Sequence, residues 1–400
     1  MNKFIKFPLY TALALTMSAH LSSCDSDDTP VVPDNTGNEA LTEILTRYVD
    51  QTVVPTYSRL ADASIKLESA CENLYTKKVL GTATTDSEVK AVCDAWIEAR
   101  KYWEHSEGFL LGPATVKGID PHIDSWPLDK TSLDKLLANS QIMEDLDASY
   151  ITTNYGSGGL CGFHALEYVV FDAGHAKDIA RITANEAKYV YAVSGDLKLQ
   201  CVYLEAAWKG YDNVSSGKKT ILEEADAVPD GDTDEWGAHF KNAGEAGSRY
   251  RTQMEAVVDF LKADKGCFGI ANEVGDTKIS DPVGSQNVLD VESWYSYNSK
   301  ADFQDNIRGI QNVIMGGVSD LRDENKSVYA YLKAKNETLA AELKDAIEKC
   351  IGEDGTTGLG TIIYPFRNNL EPEKNQVAIK SCQDLRDKIS EVATYLQENK

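Results

Sequence analysis

From Leu41 to the C-terminus, apolar residues recur at intervals of three and four and almost never alternate, which commits the chain to helices. Leu41, Ile44, Leu45, Tyr48, Val49, Thr52 and Val53 form the first stripe, and it resumes beyond Pro55 through Tyr57, Leu60, Leu67, Cys71 and Leu74. Proline lacks an amide hydrogen and its ring collides with the carbonyl four residues back, so this long helix is expected to kink or restart at Pro55. Val89, Val92, Trp96, Ala99 and Trp103 line a second helix, opened by the capping-box pattern Thr85-Asp86-Ser87-Glu88. Thr183-Ala184-Asn185-Glu186 opens another, with Val190, Val193, Leu197, Cys201, Leu204 and Trp208 on one face. Further stripes run through Met254–Leu261, Phe303–Ile314, Leu339–Ile347 and Cys382–Leu396. With 42% apolar residues to build a core, the pattern predicts an all-α fold of two packed helical bundles, residues 39–180 and 181–400.

Ahead of these helices, Lys3 and Lys6 precede an apolar stretch from Phe7 to Met17 and then Leu21-Ser22-Ser23-Cys24. Charge, a short apolar core and small residues before a cysteine, in that order, make residues 1–23 a lipoprotein signal peptide with Cys24 as the lipidation site. Residues 24–38, polar and acidic, read as a tether. The expectation is an exported lipoprotein at the outer membrane, on its periplasmic or cell-surface face, touching the membrane through the lipid alone. Against 40 Lys and Arg stand 63 Asp and Glu, a net charge of −23 that repels phosphate backbones and attracts cations, so nucleic acid is not an expected partner. Export permits disulfides, and Cys71 with Cys93 or Cys350 with Cys382 are candidates because each pair joins neighbouring helices.

Between Gly112 and Gly162 glycines and prolines interrupt any long helix, leaving one short helical piece near Leu133 to Leu146. Directly after comes Gly162-Phe163-His164-Ala165-Leu166-Glu167, where His164 and Glu167, three apart on a helix, share a face and could hold one cation. A satisfied structural His–Glu pair is the competing explanation. Glu104 and Glu107 repeat that spacing beside Arg100 and Trp103, and an ordinary solvated helix face would explain them as well. No H-E-x-x-H is present, nor a Glu three residues before any histidine, so the zincin and ferritin arrangements are excluded. Cys161 could join a metal from three residues before His164, but a packed or bridged cysteine is the simpler reading.

Several segments together resemble one family. Glu98 to Phe109 looks like the A-R-x-x-W/Y-x-x-[ST]-E-x-F segment of imelysins, Ser125-Trp126-Pro127-Leu128-Asp129 is similar to their W-P-x-D segment, and Gly162 to Tyr168 matches G-x-H-x-x-E-[FY]. Gly266 to Val274 with Lys278-Ile279, and Glu292-Ser293-Trp294-Tyr295-Ser296 with Asn298-Ser299 and Asp302-Phe303, resemble second-half motifs of its Bacteroidetes-type members. The resemblance implies two related bundles with His164 and Glu167 at their centre and Glu107 as third ligand to a divalent or ferric ion, iron first, with zinc or copper as alternatives. Asp124 and Glu104 are weaker ligand candidates. Gly162, Arg100 and Trp126 would support the ligands without touching the ion. Glu273, Ser299 and Asp302 are expected nearby.

The leading function is therefore metal binding for iron acquisition or sensing, with iron-uptake components as partners. The cupredoxin domain of iron-transport relatives is not recognisable here, which weakens the expectation of direct contact with a permease. A metal-dependent peptidase is the first alternative, because the family's founding member is described as an insulin-cleaving membrane protease. It needs an open metal position and a base, for which Glu104 or Asp124 would have to serve. A second alternative is a polysaccharide- or protein-binding module using Trp103, Trp126, Trp294 and Tyr295.

Overall fold

The computed structural model describes residues 38–399, residues 83, 157 and 158 excepted; the expected signal peptide, lipidation site Cys24 and tether up to residue 37 lie outside the described residues. The periodic stripes are helices throughout. The first are α1 (Glu39–Arg47), α2 (Val54–Leu80) and α3 (Asp86–Ser106). After a short α4 (Ile119–Ile123) come α5 (Gly162–Val170) and α6 (Ala184–Lys209). The second half supplies α7 (Gln253–Lys262), α8 (Ser299–Ile314), α9 (Glu337–Ile351) and α10 (Pro372–Glu398). Among the described residues the paired strands are Phe171–Asp172 and His175–Ala176, two residues each. No described helix is long and apolar enough to cross a membrane.

The first helix restarts at Pro55. Residues Tyr48–Val53 widen into a π-helix, α2 begins at Val54, and Pro55 falls in its first turn, where a missing amide hydrogen costs nothing. The carbonyl of Gln51, four residues before the proline, is taken instead by the amide of Val318 at 2.8 Å. Both anticipated capping boxes form, at Thr85/Glu88 and Thr183/Glu186. Between residues 112 and 162 the chain is more helical than anticipated: the expected piece near Leu133 is two helices, Lys130–Leu137 and Ser140–Asp145, and Ala148–Tyr155 adds a third.

α6 lies along α2, which in turn packs on α3; α9 and α7 pack on α10, and α8 packs on α9. α3 and α8 also pack on each other and so tie the two groups together. Leu60, Leu67, Cys71 and Leu74 of α2 are wholly buried, each large aliphatic contributing roughly 1.5–3 kcal/mol. Rings close the core below the first turn of α2: Tyr48 stacks on Phe260 at 4.4 Å, Tyr57 meets Phe109 edge-on at 5.6 Å, and Trp208 stacks on Phe240 at 5.6 Å. Where α3 faces α8 the apolar filling stops, and buried charged residues replace it.

Candidate metal centre

α3 presents Arg100, Trp103 and Glu104 inward, and a 3₁₀ turn (Glu107–Phe109) carries Glu107 just beyond its end. α8 faces them with Asp302 and Asn306. Arg100 is fully buried and its guanidinium forms ion pairs with Asp124, Glu104 (2.5 Å) and Glu292 (2.7 Å), with Asp302 at 3.8 Å. Trp103 donates its indole N–H to Asp124 Oδ2 at 2.7 Å. Lys278, on a π-helical segment (Glu273–Ile279), contacts Glu107 at 2.7 Å, Glu292 at 3.2 Å and Glu104 at 3.6 Å. Asn306 donates to Glu104 Oε2 (2.6 Å) and Glu107 Oε2 (2.7 Å).

His164 reaches this network from α5. Gly162 begins the helix at φ +79°, and a Cβ there would stand 2.1 Å from the carbonyl oxygen of Ile123, so only glycine lets α5 start this close to α4. That closeness brings His164 beside Asp124, the residue following α4. Glu167 spends both oxygens on structure: Oε2 holds His164 Nδ1 at 3.1 Å, and Oε1 accepts from the amides of Tyr295 (3.0 Å) and Ser296 (2.8 Å) and from the Ser296 hydroxyl (2.8 Å). With Nδ1 engaged, Nε2 points away from Glu167, 3.2 Å from Asp124 Oδ1 and 3.9 Å from Glu292 Oε1. Buried Nε2 makes no aligned hydrogen bond, and neither does Glu292 Oε2. The Trp126 ring covers the imidazole at 4.7 Å and donates to the Asp290 carbonyl at 3.1 Å.

One ligand atom each from Asp124, His164 and Glu292 lies within 4.8 Å of the other two. A nitrogen and two carboxylate oxygens suit a borderline or hard cation. The buried atoms without hydrogen bonds are the ones such an ion would satisfy, so the donor set fits the metal that the imelysin resemblance implies. Around this point Glu104, Glu107, Asp124, Glu167, Glu292 and Asp302 face two permanent cations, Arg100 and Lys278. Burial pushes Glu104 and Glu107 well above the ordinary carboxylate range despite Arg100 and Lys278. Burial likewise lifts Asp302, to about 7, against the pull of Arg100. Asp124 is the opposite case: burial opposes its charge, but Arg100 and His164 hold it well below the usual value. For His164 burial also disfavours charge, yet the Asp124 and Glu167 carboxylates beside its two nitrogens prevail and raise the imidazole to about 9. A cavity of about 550 Å³ opens onto the site, lined by Glu107, Asp124, Trp126, Glu273, Lys278 and Glu292 among others.

The structure thus brings His164, Asp124, Arg100, Glu104, Glu107, Trp126 and Asp302 into one contiguous network, but around His164 Nε2 it gathers Asp124 and Glu292, while Glu107 and Glu104 pair with Lys278, Arg100 and Asn306. Ser299 fixes the neighbouring chain by donating to the Glu292 carbonyl at 2.5 Å, and Glu273 lines the cavity. Sequence reasoning overlooked Glu292 as a candidate ligand, and with it Lys278 and Asn306. Glu292 and Lys278 sit inside segments that carried the family resemblance, and the signal was a buried arginine needing more carboxylates than its own helix supplies. Asn306 left no such signal.

The imelysin family model matches residues 53–392. Iron-regulated protein A of Synechococcus elongatus is 26% identical over 336 residues, 84% of this chain and 80% of that protein. A crystal structure assigned as an iron-regulated protein A precursor, from Parabacteroides distasonis, superimposes with a TM-score of 0.74 at 28% identity, covering 90% of this chain and 96% of the other. An imelysin-like protein from Psychrobacter arcticum shares the fold at 16% identity and a TM-score of 0.56, over 90% and 94% of the two chains. The model match spans most of the sequence, and the chain belongs to the imelysin family.

Proposed function

We propose that this protein captures a single divalent or ferric ion through Asp124, His164 and Glu292, with iron the favoured cargo, and that a lipid on Cys24 keeps it at a membrane for iron acquisition or sensing. The reading rests above all on one observation: a buried imidazole nitrogen and a buried carboxylate oxygen, neither making an aligned hydrogen bond, converge with Asp124 in a site whose carboxylates outnumber its cations. Leaving such groups unpaired costs about 1–3 kcal/mol each, and an ion removes that cost. The acidic cavity gives a cation a route in, and the name of the Synechococcus relative favours iron. Glu167 and Ser296 orient the imidazole, and Arg100 holds the carboxylates in place.

Calorimetric titration of the metal-stripped mature domain with iron, zinc and copper tests this. The His164→Ala, Glu292→Gln double variant should bind one equivalent of iron fewer than the native protein; equal stoichiometry and affinity in both would remove the idea. The peptidase alternative lacks comparable support, since Glu104, one of the two bases open to it, is held by Arg100 and Asn306, and Asp124, the other, by Arg100 and Trp103. The aromatic-platform alternative loses Trp103, which is fully buried.

A further inference from the structure

We propose a second, independent metal site, for a zinc-like divalent ion, formed by His122, Cys161 and Asp196. The three come from separate elements: His122 from α4, Cys161 from the N-cap of α5, and Asp196 from the middle of α6. One ligand atom of each lies within 4.8 Å of the others, and none of them belongs to the Asp124, His164 and Glu292 group. Nitrogen, sulfur and oxygen donors in one set, with a fourth position left open, are the chemistry of a tetrahedral zinc-type ion.

Asp196 is wholly buried on a helix otherwise given to core packing. Its Oδ2 lies 2.7 Å from His122 Nε2, and its Oδ1 accepts from the Thr152 hydroxyl at 2.6 Å and from the Gln200 amide at 3.5 Å. Among the described residues no lysine or arginine stands within ion-pair distance of it; His122 is the residue that pairs with it there. A buried carboxylate without a permanent counter-charge is expensive, and a divalent cation supplies that charge. Thiolate, carboxylate and divalent ion together are neutral.

The approach of the imidazole is built in as well. A Cβ at Gly156 would stand 2.6 Å from His122 Nδ1, so a side chain there would drive the ring off Asp196. Cys161, almost fully buried, points its thiol at the carbonyls of His122 (3.1 Å) and Tyr155 (3.2 Å). On binding, the Cys161 S–H bond breaks, the sulfur lone pair forms the metal bond, and the proton leaves to solvent; no electron is transferred.

Cobalt(II) titration of the reduced, metal-stripped mature protein separates this site from the other, because only a cysteine ligand gives thiolate-to-cobalt charge-transfer absorption in the near ultraviolet. We expect that band to saturate at the intensity of one thiolate-bound cobalt per protein, to vanish in Cys161→Ser, and to need at least about tenfold more cobalt in His122→Gln. Cobalt binding without the band in the native protein, or a band that survives Cys161→Ser, overturns the proposal while leaving the Asp124–His164–Glu292 reading untouched. Should Cys161→Ser not fold, the native spectrum and the His122→Gln titration decide, an unshifted His122→Gln curve counting against the site.

Discussion

A carboxylate's role in this protein is set by what its oxygens already touch. Glu167 sits at the expected three-residue spacing from His164, yet one oxygen orients the ring and the other closes three hydrogen bonds to the 295–296 turn. Glu107 is paired with Lys278 and Asn306, whereas Glu292 keeps an unpartnered buried oxygen. Metal affinity should therefore fall at least about tenfold in Glu292→Gln and stay within roughly threefold in Glu107→Gln, compared by calorimetry. The opposite order would return Glu107 to the ligand set. Arg100 is the structural keystone of the cluster, so Arg100→Met should leave buried carboxylates uncompensated and lose about 3–5 kcal/mol in urea unfolding.

At the scale of elements, the helices were legible because their signals are local. Apolar spacing and the two capping boxes are written within four residues of each other, and Thr85→Ala should cost about 1 kcal/mol in the same unfolding measurement. The 112–162 region was only partly legible, since helices of eight residues or fewer, such as Lys130–Leu137, are held by tertiary packing more than by propensity. Gly162 was readable as a helix entry, but not the reason for its necessity, which is the Ile123 carbonyl on another element. Gly162→Ala should move α5 off α4, parting His164 from Asp124; the variant is expected to lose metal binding before it loses helical circular dichroism. The composition of the site was least legible, because Asp124 follows α4 and Glu292 precedes α8, and they meet at the Arg100 guanidinium of α3, a contact with no sequence spacing to betray it.

For the molecule as a whole, the excess of buried carboxylates makes stability depend on pH, and the proposed ion would add a dependence on cation. His164 in the folded, metal-free protein is raised from 6.5 to about 9, so the stability it contributes is fully present below pH 6.5 and is lost as pH rises through 9. Asp302, raised from 3.8 to about 7, acts in the same direction: its contribution is complete below 3.8 and disappears as pH climbs past 7. Asp124 has the reverse sign, its pKa being lowered below 3.8, but its loss falls in acid, outside this window. The His164 shift alone corresponds to on the order of 3 kcal/mol. An ion on Nε2 needs the neutral ring and expels that proton, so the metal-bound form escapes the penalty as pH rises. The gap in Tm between metal-bound and metal-stripped protein should accordingly widen from pH 6 to pH 9, with proton release on binding visible as a dependence of calorimetric heat on the buffer's ionisation enthalpy. A gap that stays constant across that range would mean the imidazole does not meet the ion, and the stabilising cation, if any, would have to sit among the carboxylates alone.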